Sequence, residues 1–214
     1  YGHIKGSGSQ HQSTTQEGET KAVYGQFYNL LENDRSALKK NTGFIINEAT
    51  ASDAYFIVAE RLQMKDRLNP GTWTFVLSGS TTAGAAMDIS LTDNSKTTDA
   101  SAAPFGERYD IMSGSAGTTL GSTKYGYFYP DAGIFVLSGN EVSSSLPGTS
   151  AYQTATPVVP AGSSGTGLSP DRRVTADADN AHKLATAISK GSVTLRSEEK
   201  QYIYDYFCRA KANE

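Results

Sequence analysis

Met87-Asp88-Ile89-Ser90-Leu91-Thr92 alternates apolar and polar side chains, the period-two pattern of a strand with one face turned inward. Short apolar runs recur along the 214 residues, set apart by Gly, Pro, Asn, Asp and Ser, and one stretch alone carries a strong helical period. Strands this short, joined by turns, favour antiparallel pairing. The expected fold class is therefore α+β, predominantly antiparallel β with one or two short helices, the best of them at about 178–190.

Strands are expected at residues 23–31 and 43–47, both apolar and aromatic. Residues 54–59, a continuous run containing Tyr55, Phe56, Ile57 and Val58, fit a strand buried on both faces. Residues 60–68 interleave charges with Leu62, Met64 and Leu68 and read as a short helical piece closed by the Asn69-Pro70-Gly71 turn. Residues 72–77, 108–112 and 125–129 are further strands. The loop Pro130-Asp131-Ala132-Gly133 should fold the last of these into a hairpin with Ile134-Phe135-Val136-Leu137. Later, Ala181, Leu184, Ala185 and Ile188 recur at helical spacing, with Asp177 or Asp179 as a cap and Gly191 after the last turn. Residues 192–196 follow as a strand. In a final strand, residues 201–209, Tyr202, Tyr204, Tyr206 and Cys208 share one face and Ile203 and Phe207 the other. Both faces are aromatic, so both should be covered.

These readings divide the chain into a polar extended arm at 1–20, a β-rich domain at 21–137, a Gly/Ser/Thr/Pro-rich loop or linker at 138–169, and a helix plus strands at 170–214 that pack on the β-rich domain. The arm has too little apolar surface to offset its ordering entropy, so it should gain order against a partner. The chain begins at Tyr1 and stops soon after a strand-like run, and a fragment of a longer polypeptide is expected.

Twelve Tyr and eight Phe supply the large apolar area that the modest aliphatic content lacks. Acidic residues outnumber basic ones by 22 to 19, and adjacent bases occur only at Lys39-Lys40 and Arg172-Arg173, so no nucleic-acid footprint is present. No apolar run reaches the length of a membrane span. The single cysteine, Cys208, cannot close an intrachain disulfide and reads as a small buried hydrophobe without a redox role.

The sequence lacks a GxSxG nucleophile elbow. The string from Gly162 to Ser169 follows the outline of a phosphate-binding loop, but Leu168 stands where the lysine is needed and Pro170 follows. His3, His11 and His182 lack metal-ligand spacing. Asp177-Ala178-Asp179-Asn180 lacks the glycine and distal glutamate of a calcium loop. Asp88, Asp93, Glu107, Asp110 and Asp131 could in principle supply a glycosidase pair, which depends on separation in space. The expectation is a non-enzyme, with no catalytic residues, metal or cofactor. Tyr24, Tyr28, Tyr125, Tyr127, Tyr129, Tyr202, Tyr204 and Tyr206 fall on expected strands, where packing or assembly is their ordinary use. Tyrosine faces also suit sugars. Tyr1, His3, Tyr202, Tyr204 and Tyr206 are the candidate interface residues.

Several strings are similar to segments of large virion structural proteins, of tail or baseplate type, in T4-like tailed phages, notably cyanophages. They are Tyr1-Gly2-His3-Ile4-Lys5-Gly6-Ser7-Gly8-Ser9, Asp53-Ala54-Tyr55-Phe56-Ile57-Val58-Ala59, Lys65-Asp66-Arg67-Leu68-Asn69-Pro70-Gly71-Thr72-Trp73, Tyr127-Phe128-Tyr129-Pro130-Asp131-Ala132-Gly133-Ile134 and Arg196-Ser197-Glu198-Glu199. The likeness runs in order along most of the chain but not through residues 138–169. It implies a virion structural protein in the tail or baseplate, with other virion proteins and copies of itself as partners and a host-surface glycan as the alternative partner.

Overall fold

The structure, a computed structural model, describes residues 2–3, 19–33, 43–51, 53–80, 86–139, 141–142, 180–199 and 201–209. Its frame is one antiparallel sheet built from β1 (Gly2–His3), β4 (Asp53–Val58), β6 (Thr74–Ser80), β7 (Ala86–Asp93), β9 (Gly106–Ser115), β10 (Thr118–Tyr129), β11 (Ile134–Ser138) and β12 (Ser192–Thr194). The order across it is β1-β4-β11-β10-β9-β7-β6-β12, and β8 (Ser101–Ala103) adds to β9. Two small ribbons stand apart: β2 (Ile45–Ile46) with β3 (Ala49–Thr50), and β5 (Arg67–Leu68) with β13 (Ser197–Glu198). The expected β-rich α+β class holds, and the helices described in full are α1 (Glu19–Leu31) and α2 (Asn180–Lys190).

Alternation along the central strands sorts their side chains into two cores. On β11, Phe135 and Leu137 face one cluster with Trp73, Phe75, Leu77, Leu91 and Phe128. Ile134 and Val136 face the other, with Tyr24, Tyr28, Leu31, Phe44 and Tyr129. On β10 a bulge interrupts the alternation: Lys124 opposes Met112 and Gly126 opposes Ile111, so Tyr125 is the extra residue. Tyr125 consequently joins Phe128 in the first core, while Tyr127 and Tyr129 enter the second.

The first core shows how strongly the sheet curls. Four strand spacings separate β6 from β11, about 19 Å if the sheet were flat. Yet the Phe75 and Phe135 rings lie 4.6 Å apart, and Trp73 is 4.9 Å from Phe135. The sheet wraps these rings as an open barrel. Leu184 and Ala187 of α2 turn into the same cluster beside β6. The hairpin expected at Pro130-Asp131-Ala132-Gly133 forms with Tyr129 opposite Ile134. Gly133 has φ +65°, and a Cβ there would fall 2.2 Å from the Met64 sulfur, so both conformation and space call for glycine.

Several expectations give way. Residues 23–31 are helical, because Tyr24, Phe27, Tyr28 and Leu31 lie at i, i+3, i+4 and i+7 and bury one stripe against β4 and Phe44. Tyr24 fixes this docking: its hydroxyl donates to the Ala51 carbonyl at 2.8 Å and accepts the Phe44 N–H at 2.9 Å. Within 43–47 only Ile45–Ile46 is strand. Residues 60–68 hold a single 3₁₀ turn, Arg61–Gln63, and then β5, whose pairing with β13 overrides local helical pattern. Thr92, read as outward, is fully buried, since its hydroxyl donates to the Trp73 carbonyl at 2.8 Å and accepts the Gly117 N–H at 2.7 Å. The run 54–59 is covered on both faces only at its start, and Val58 is 54% exposed. Gly2 and His3 pair with Ala54 and Asp53, so the start of the arm finds its partner within the chain.

The helix expected near 178–190 runs Asn180–Lys190; its expected caps, Asp177 and Asp179, lie outside the described residues. So do Tyr1, His11 and nearly all of 138–169, although Ser138 ends β11 and Val142 is buried in the first core. The largest revision concerns residues 201–209, which form no strand and are exposed throughout, Cys208 included. A strand needs a partner edge, and among the described residues this segment has none.

Candidate interaction surface

Two half-buried arginines organise polar contacts inside the fold. Arg67 on β5 donates through Nη1 to Glu107 at 2.8 Å and through Nε to Glu198 at 2.9 Å, with Asp131 3.8 Å away. Burial pulls this guanidinium down, and its hydrogen bonds to Glu198 and Glu107 more than offset that, leaving its pKa above the ordinary arginine value. Arg108 on β9 pairs with Glu32 at 2.8 Å and lies 4.2 Å over the Tyr127 ring. The Tyr129 hydroxyl donates to the same Glu32 oxygen at 2.5 Å, and Tyr127 donates to the Ile45 carbonyl.

These contacts occupy most of the carboxylates that might have formed an acid–base pair. Glu107 serves Arg67, and Asp131 accepts the Glu107 N–H at 3.3 Å. Asp110 pairs with Lys124 at 2.9 Å, and fully buried Asp93 accepts the Gly71 N–H through both oxygens. Asp88 stands apart on the exposed side of β7. Among the described residues no group of three His, Cys, Asp or Glu side chains converges to hold a metal, and no helix is long and apolar enough to cross a membrane.

Of the candidate residues, Tyr202, Tyr204 and Tyr206 come together on one exposed segment. Tyr202 and Tyr204 are 75% exposed, Tyr206 87%, Ile203 84% and Phe207 96%. His3 sits on the sheet edge at β1. No family, curated protein or solved structure matches the chain. The site is therefore read from its own geometry.

A second surface was not legible in the sequence. Between β4 and β12 lies an apolar groove of about 300 Å³, with Phe75 and Phe135 at its floor and Ile57, Val58, Ile188, Val193 and Leu195 around it. Glu60 is its one charged lining residue among those described. It is the gap where the curled sheet fails to close. β1 covers only Asp53 and Ala54 of β4, so Phe56–Val58 pair with β11 alone among the described residues. On the far side, β12 pairs with β6 alone among the described residues. Gly191 brings β12 to this place: a Cβ there would fall 1.7 Å from the Val76 carbonyl oxygen, so only glycine lets α2 turn directly into the edge strand.

Proposed function

We propose that the chain is a structural component of a tailed-phage virion that mediates subunit assembly, in the tail or baseplate. The observation that carries this reading is the segment 201–209, where five large apolar side chains stand in solvent within nine residues. Soluble monomers rarely leave such a contiguous patch uncovered. The likeness of its motif strings to phage structural proteins supplies the setting. Trp73 favours assembly over glycan recognition: a sugar platform would need it exposed beside tyrosines, and it is 1% exposed in the first core.

The test is the composition of purified particles. Mass spectrometry of density-gradient virions should recover this polypeptide at a fixed stoichiometry to the tail proteins, and antibody against it should decorate the tail in negative stain. Recovery only in the non-particulate fraction of the lysate would overturn the reading.

A further inference from the structure

Among the described residues no strand lies in the groove between β4 and β12. Two edges without a described partner border it, Phe56–Val58 on one side and Ser192–Thr194 on the other, and its floor is core. An extended peptide placed there would find backbone partners at its sides and apolar side chains beneath, the combination used in strand addition. We propose that residues 201–209 of a second copy of this chain enter the groove as the missing strand. This inference rests on the assembly reading and names its partner and contact.

The segment has the right side chains in the right alternation. Tyr202, Tyr204 and Tyr206 share one face of an extended chain, and Ile203, Asp205 and Phe207 share the other. Asp205 bars the second face from an apolar floor, because an unpaired buried carboxylate is strongly unfavourable. The tyrosines therefore turn inward.

The chain's own segment is poorly placed to fill its own groove. The backbone leaves the groove at Leu195, and by Ser197–Glu198 it is paired to β5 and clamped through Arg67. Only Glu199 and Lys200 remain before the segment begins. Two-residue hairpin loops favour Gly, Asn or Asp, and the sequence offers none of these there. A neighbouring copy meets no such restriction.

Sedimentation velocity over a concentration series, with circular dichroism to verify folding, tests the contact. The wild-type chain should self-associate, and Tyr204→Asp in the segment or Val193→Arg at the groove should each weaken association on the order of a hundredfold. The two variants mixed should recover a one-to-one complex, since Tyr204→Asp retains a sound groove and Val193→Arg a sound segment. A wild-type chain that associates regardless of both substitutions, or a mixture that fails to recover, would overturn strand insertion while leaving assembly through another surface intact. A wild-type chain that stays monomeric at every concentration would also overturn it. Particle composition, measured separately, decides the broader reading.

Discussion

Tyr129 shows how much one side chain can commit. It is fully buried and donates to Glu32 at 2.5 Å, and burial first, then the Glu32 charge, pushes its pKa far above the ordinary phenol range. Because the folded value lies above the unfolded one of about 10, the contribution is fully present below about pH 10 and is lost as pH rises beyond it. We expect stability to fall steeply above about pH 10, and Tyr129→Phe to flatten that fall while removing about 1.5–3 kcal/mol at neutral pH. Urea melts from pH 7 to 11, with tyrosinate absorbance alongside, would check both; full phenol ionisation in the still-folded protein would contradict them. The inward placement of Tyr129 was legible from strand alternation. Its partner Glu32 was not, since the two stand far apart in sequence and nothing local marks a pair. Thr92 misled for a related reason: a hydroxyl that can bridge a carbonyl and an N–H is as well suited to the interior as to water.

Among elements, the ribbon of β5 and β13 is tied to β9 through one guanidinium. Arg67 joins Glu198 on β13 to Glu107 on β9, and its fork holds both carboxylates at once. Lysine would keep the charge and lose the fork. Arg67→Lys should therefore reduce stability by about 1–3 kcal/mol, and hydrogen exchange at residues 197–199 should rise before the central strands are affected. Unchanged protection there would show the backbone pairing to be sufficient alone. Legibility at this scale followed period and length. The hairpin from β10 to β11 and helix α2 carried turn chemistry and a clean period, and both form as read. Helix α1 was hidden because Tyr24, Phe27 and Tyr28 have strand propensity, yet their spacing was helical all along. Residues 201–209 have a strand's pattern but no strand partner among the described residues, and pattern cannot report whether a neighbour exists.

Across the whole molecule, two cores share one sheet, with β4, β10 and β11 contributing to both. They should melt together. Trp73, the only tryptophan, reports on the first core, so its fluorescence can sense damage done to the second. Tyr24→Phe would leave the buried Phe44 N–H unpaired, at a cost of about 1–3 kcal/mol. We expect the Trp73 denaturation midpoint to fall by the same amount as the far-ultraviolet midpoint; a Trp73 transition that stays put would mean the faces unfold independently. The curl that brings Phe75 to Phe135 was beyond sequence reading, because twist accumulates over many strands and is written in no single one. That curl also bears on the order in which the chain folds. β9, β10 and β11 follow one another through tight turns, whereas β4 reaches β11, and β12 reaches β6, only by closing long loops. Long closures come late and slowly. The two strands that border the gap should thus be the last to settle, so the newly made chain meets its neighbours while that border is still being laid down.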